Sequence, residues 1–120
     1  MKTNELRLGN WVHDGSRFPM QVVGIFDNDV YLDFEGNEGD VWECGLEGAK
    51  PFEIDQEWLN KFGFNKGKFN YKWQFGNFIY DQKLKLWTWF GVQLHDYLIE
   101  FVHQLQNLYF ALTGQELTIK

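Results

Sequence analysis

The sequence predicts an α+β fold: a small bent antiparallel sheet or partial barrel in the N-terminal half, a short helix, an antiparallel meander, and a C-terminal helix packed on the sheet. Three observations predict it. Short runs alternating apolar and polar residues, closed by Gly, Asn or Asp, recur through both halves of the chain. A capped helical pattern separates the halves at 55–63. Residues 102–113 carry apolar side chains at helical spacing and stop at Gly114.

Each element has its own signal. "LRLGNWVHDG" alternates and stops at Asp14-Gly15, and "MQVVGIFDND" is β-branched and breaks at Asp27-Asn28-Asp29. "VYLDFEGNEG" sets Val30, Leu32 and Phe34 against Tyr31, Asp33 and Glu35, and "DVWECGLEG" reads as a fourth short strand. In "PFEIDQEWLNKFGF", Asp55 is an N-cap, the early acids suit the helix dipole, and Gly63 ends about two turns of helix. "FNYKWQF" returns to strand, Gly76-Asn77 is a two-residue hairpin signal, and "FIYD" runs back. "KLKLWTWF" alternates as the next strand, and "YLIEF" reads as a strand hairpinned back at His95-Asp96.

The 120 residues suit one domain, 1–120, because chains this short rarely hold two cores. Cys44 is the sole cysteine, so no internal disulfide and no cysteine-based metal cage form. "MKTNELRLGNW" lacks the apolar core of a secretory signal, and no run of about 18 apolar residues occurs. The expectation is a soluble, cytoplasmic protein with no membrane partner. Six Trp, five Tyr and twelve Phe make 19% of the chain, more rings than a small core needs, and Trp is enriched where surfaces bind.

Charge is unevenly spread. Eleven acids (Asp27, Asp29, Asp33, Glu35, Glu38, Asp40, Glu43, Glu47, Glu53, Asp55, Glu57) stand against Lys50 alone in residues 27–57, whereas 61–85 hold six Lys against Asp81. A net charge of -6 argues against gripping a nucleic-acid backbone. The acidic stretch is either a solvated face or a dock for a basic partner.

Three segments, "NELRLGNWV" (4–12), "PFEIDQEWLNKFGF" (51–64) and "VHQLQNLYFALTGQELTI" (102–119), resemble a family of small proteins from Bacteroidetes phages, prophages and mobile elements. In the middle segment the family often has a second proline and a threonine where this chain has "FEID", which leaves the helix intact. The resemblance implies a bacterial or phage setting in the host cytoplasm and carries over no catalytic residue.

From Phe101 to Gln115 there is no charged residue, although 23% of the chain is charged. Val102, Leu105, Leu108, Tyr109 and Leu112 form one stripe; His103, Gln104, Gln106, Asn107, Phe110 and Ala111 face the other way. An exposed face normally carries Lys or Glu, so neutral amides beside an outward Phe predict a helix covered on both flanks. The cover is the chain's own loops, a second copy meeting Gln106 and Phe110, or a ligand.

Enzyme constellations are weak, a Cys44–His pair and a small nucleotide hydrolase or lyase being the alternatives left open. His13, His95 and His103 lack metal-ligand spacing, "WECGLEG" matches no nucleophile motif, and there is no Walker loop, GxGxxG or nucleophile elbow. The chain reads as a non-enzymatic binder without catalytic residues, metal or cofactor. The best binding constellation is Lys83, Lys85, Trp87 and Trp89 on one strand face: ammonium groups suit phosphates, and stacking a base on an indole is worth roughly 1–3 kcal/mol. The alternative packs both indoles under the final helix. His103, Gln104 and Asn107 are candidates for the hydrogen-bonding side of a pocket, with Trp11 and Trp42 as weaker additions.

Two functions follow. The first is sequestration of a small nucleotide-type ligand by a homo-oligomer, similar in setting and composition to phage proteins that trap cyclic nucleotide or ADP-ribose-derived immune signals. The alternative is an acidic interaction module, an inhibitor or nucleic-acid mimic, that docks on a basic host protein.

Overall fold

A computed structural model describes residues 5–68, 71–94 and 99–120. The chain is α+β, and its contacts divide it into two compact units, each built on its own antiparallel sheet.

The first unit comprises Met1–Glu53 and Glu100–Glu116. Its strands are β1 (Trp11–His13), β2 (Met20–Phe26), β3 (Asp29–Asp33), β4 (Trp42–Gly45) and β5 (Lys50–Pro51), in the spatial order β4-β3-β2-β1-β5. This is an open sheet rather than a closed barrel. Val12 pairs with Met20, Val22 with Leu32 and Ile25 with Val30, which sets these side chains on one face. Leu6, Val12, Met20, Val22, Val30 and Leu32 form the buried core, and Ile25, Phe34, Cys44 and Leu46 pack against it. Val22 and Ile25 are three apart, so strict alternation would put them on opposite faces. A bulge between Val22 and Gly24 absorbs the extra residue and restores both to the core. Gly24 lies opposite Tyr31, and a Cβ there would meet Tyr31 Cδ2 at 3.3 Å. The β2–β3 loop is Asp27-Asn28, with Asp27 in the left-handed region at φ 56.

The unit's helix, α2 (Val102–Thr113), packs against β1 and ends at Gly114 with φ 74, as its spacing predicts. Its start is held by Gln104, whose side-chain oxygen accepts from the N–H groups of Glu100 (2.9 Å) and Phe101 (3.0 Å). Phe101 bridges to Glu53, and Val102 N–H donates to Phe52 O at 2.9 Å.

The second unit comprises Ile54–Ile99 and Leu117–Lys120. Helix α1 (Gln56–Lys61) begins where Asp55 accepts from Trp58 N–H at 2.9 Å. Its strands are β6 (Asn65–Lys66), β7 (Lys72–Phe75), β8 (Phe78–Asp81), β9 (Leu86–Trp89) and β10 (Val92–Gln93), in the order β10-β9-β8-β7-β6. The pairs Trp73–Tyr80, Tyr80–Trp87, Phe75–Phe78 and Phe78–Trp89 gather the rings on one face. Trp73, Phe78 and Trp87 are buried there. Lys120 N–H donates to Lys61 O at 2.7 Å, tying the last residue to α1.

Several expected strands are shorter or displaced. Residues 7–10 form a turn instead of the start of a strand: Asn10 accepts Arg7 N–H at 2.6 Å on its side chain and returns its own N–H to Arg7 O at 3.1 Å. The "KLKLWTWF" strand begins only at Leu86. Asp81 Oδ1 takes the N–H groups of Lys83 and Leu84, both at 3.0 Å, and Lys85 has φ 54, so 82–85 turn. The short β5, β6 and β10 carry no alternation long enough to read. Phe69, Asn70 and 95–98, with the first two residues of the expected "YLIEF" strand, lie outside the described residues. Of the other three, Ile99 and Glu100 are not in a strand and Phe101 makes only the isolated bridge to Glu53.

If Asp55 starts α1 in this way, Asp55→Ala should lower unfolding stability by about 1 kcal/mol while Asp55→Asn keeps most of it, as read from urea denaturation midpoints.

Candidate functional site

The uncharged face of α2 is engaged by the chain's own N-terminal segment. Gln106, 2% exposed, uses both ends of its amide. Oε1 accepts from Trp11 N–H at 2.9 Å and, at 3.5 Å, from Asn10 Nδ2; Nε2 donates to Gly9 O at 3.0 Å. Asn107 accepts from Asn10 Nδ2 at 2.9 Å and donates to Glu5 O at 2.8 Å. Val22 N–H bonds Asn10 O, so the alternation of the ladder turns the Trp11 N–H away from β2, toward β5. The β1–β5 pairing stops at Val12–Pro51, and Gln106 supplies the acceptor that the missing next pair would have given. Phe110 is covered in part by the Arg7 guanidinium, 3.8 Å from its ring centre, and Arg7 also pairs with Glu116.

His103 is buried with both ring nitrogens unpartnered among the described residues, parallel to Phe101 at 6.0 Å. Burial holds its pKa below 6.5, Glu5 opposing. His13 is shifted the same way, chiefly by burial, with Arg17 and Lys50 adding while Pro51 and Asp14 oppose. Its Nδ1 accepts from Gly15 N–H (3.0 Å) and Arg17 N–H (3.3 Å), bonds that only an unprotonated Nδ1 makes. Burial likewise raises the Cys44 thiol, Asp14 and Asp29 adding, which keeps it protonated and a poor nucleophile.

The remaining candidates separate by unit. Trp11, Trp42, His103, Gln104 and Asn107 belong to the first; Lys83, Lys85, Trp87 and Trp89 to the second. Lys83 and Lys85 are exposed in the turn before β9. Trp87 is buried, stacked on Tyr80 at 4.4 Å and edge-on to Phe64 at 6.0 Å. Trp89 is half-buried beside Phe78 and meets the exposed Phe90 edge-on at 4.8 Å. The lysines and the accessible rings thus lie at opposite ends of β9, with a core tryptophan between them.

A different surface stands out on the first unit's sheet. The face opposite the core presents two cross-strand rows, Phe26–Asp29–Gly45 and Gly24–Tyr31–Glu43, and Gln21–Asp33 continues it. Phe26 is 73% exposed, and Trp42, on the core-facing side of the edge strand β4, is 53% exposed. Asp27, Glu35, Glu38, Asp40, Glu43 and Glu47 are all exposed. Sequence reading found the acids and Trp42 but not Phe26, Tyr31, Asn10 or Arg7, whose roles depend on strand pairing or on partners about a hundred residues away.

Comparison with protein-family models, with curated proteins and with solved structures finds no match. Among the described residues, no helix is long and apolar enough to cross a membrane.

Two outcomes test this geometry. Gln106→Leu strands the Trp11 N–H without its acceptor and should cost roughly 2–4 kcal/mol in urea denaturation, with Gln106→Glu also destabilising because a buried charge replaces a neutral amide. For the histidines, the folded chain resists protons that the unfolded chain accepts near 6.5. Stability is therefore full above that pH and falls as pH drops through it, and the decline in melting temperature should be shallower in His103→Leu.

Proposed function

We propose that this chain is a non-catalytic docking protein whose acid-bearing sheet, on the β2–β3–β4 side of the first unit, binds a basic protein partner. The observation that carries the reading is the exposure of apolar and acidic side chains on these three strands and their loops. Phe26 shares the outer face with Glu43, Trp42 is exposed on the core-facing side of the edge strand, and no base stands between Asp27 and Glu47. Exposed rings supply contact area, and surrounding like charge selects the sign of the partner and speeds encounter. Of the α2 amides, by contrast, Gln106 and Asn107 hold the N-terminal segment and Gln104 Oε1 caps the start of its own helix, so these groups already have partners within the chain. The resemblance to phage and prophage proteins suggests a partner in the bacterial host cell, and the concentration of acids in 27–57 suggests a role as an inhibitor or nucleic-acid mimic.

Sequestration of a nucleotide-type ligand is the second reading. It draws on the Trp89–Phe90 ring pair and the exposed Lys83 and Lys85, and it requires a second copy to bring lysines and rings together.

The two readings diverge in one pair of measurements. As a docking protein, the chain should show no melting shift with cyclic nucleotides or ADP-ribose derivatives. It should bind a basic host protein about tenfold more weakly when salt rises from roughly 50 to 300 mM, and Glu38→Lys with Asp40→Lys should reproduce that loss at low salt. A nucleotide-dependent rise in melting temperature that disappears in Trp89→Ala, without any charge-dependent protein binding, would overturn the docking reading in favour of sequestration.

A further inference from the structure

We infer that the partner is held by strand addition: the free edge of β4 takes up an extended segment in which Lys or Arg alternates with apolar residues. This rests on the docking reading above and specifies its mode and its occupant.

Among the described residues β4 pairs with β3 alone, and it ends the sheet. The register decides which groups it offers. Leu46 N–H bonds Asn28 O at 2.8 Å, so Asn28–Leu46 is a hydrogen-bonded pair. Counting along the ladder, Val30–Cys44 and Leu32–Trp42 are hydrogen-bonded pairs too, whereas Tyr31–Glu43 and Asp29–Gly45 are not. The N–H and C=O groups of Glu43 and Gly45 therefore point away from β3, into solvent, in the spacing an incoming strand needs. Both residues are exposed. Natural sheets blunt such edges with short strands, with charged side chains, Lys above all, or with Pro. Strand β4 is short and bears the single charge of Glu43, which repels acidic strands and admits basic ones. Here the segment Val41–Gly45 holds neither Lys nor Pro and carries Val41 and Trp42, both substantially exposed.

Side chains choose the occupant. Trp42 shares the core-facing side with Leu32, so an apolar residue opposite it would cover the indole. Glu43 shares the other side with Tyr31, and a cation opposite it makes a favourable cross-strand pair. Glu38, Asp40 and Glu47, all exposed, flank the strand in sequence with the same sign. A second copy adding its own β4 would set Glu43 and these acids against one another, so a basic strand fits the edge and a copy of this chain does not. Main-chain bonds then supply affinity and alternate side chains supply specificity.

Gly45 gives a clean test. Its backbone lies at φ -66, ψ 159, and a Cβ there meets nothing within 4 Å. Proline fits that conformation and removes only the outward N–H. The probe is a short peptide alternating lysine and valine, its central-proline version and its glutamate counterpart, titrated at low salt with the Glu43 amide followed by NMR. The wild-type chain should bind the lysine peptide. Gly45→Pro, at unchanged melting temperature, should bind it about tenfold more weakly or worse, as should the wild type with the proline-interrupted peptide. Glu43→Lys, which keeps the backbone edge, should shift preference toward the glutamate peptide.

Equal binding by wild type and Gly45→Pro would overturn strand addition and leave attraction by charge alone. Absence of any binding to the lysine peptide would overturn the docking reading itself. A wild-type dimer in sedimentation that Gly45→Pro converts to monomer would identify the occupant as a second copy and overturn the basic partner.

Discussion

The first unit is closed by a contact between two amides on the last helix and the backbone near the start of the chain. Gln106 and Asn107 reach Glu5, Gly9, Asn10 and Trp11 across about a hundred residues of sequence. An antiparallel sheet leaves polar backbone groups wherever a neighbour strand stops short, and burying them unpaired costs on the order of 1–3 kcal/mol each. Here β5 stops at Pro51, and a glutamine side chain offers both an acceptor and a donor in the plane where strand groups were needed. A carboxylate or an ammonium would bring one polarity only and a desolvation cost. This explains why the helix carries neutral amides on a face that would otherwise take Lys or Glu.

That arrangement has a consequence for function. Polar groups already satisfied by the chain's own backbone are poor recognition elements, since using them would break internal bonds first. On the opposite part of the same sheet, a bulge at Val22–Gly24 keeps the core filled and leaves Phe26, Asp29, Tyr31, Asp33 and Glu43 on the outer face. Core and proposed docking face are thus the two sides of three strands, separated by the period of the pleat.

Much of the architecture was legible before any coordinates. Asp55 and Gly63 bracket α1, Gly76-Asn77 turns β7 into β8, and Gly114 ends α2, because caps and two-residue turns are local chemistry. The strand extents were less legible. "KLKLWTWF" alternates throughout, yet Asp81 captures two N–H groups and holds the first half in a turn, a competition between side chain and ladder that periodicity does not reveal. The two-residue strands β5, β6 and β10 exist only because a neighbour strand is present to pair with them.

For the candidate site the boundary falls at the same place. The sequence alone determined that the final helix carries no charge and that the acids concentrate in one segment, since charge, spacing and periodicity are properties of a linear string. Only the tertiary structure decided what covers part of the helix, that Trp87 lies in an aromatic core while Trp42 stands at an open strand edge, and that Phe26 shares a face with Asp29, Asp33 and Glu43. Those are matters of strand register and of contacts between residues far apart in the chain, and a one-residue shift in pairing would exchange the two faces of every strand concerned.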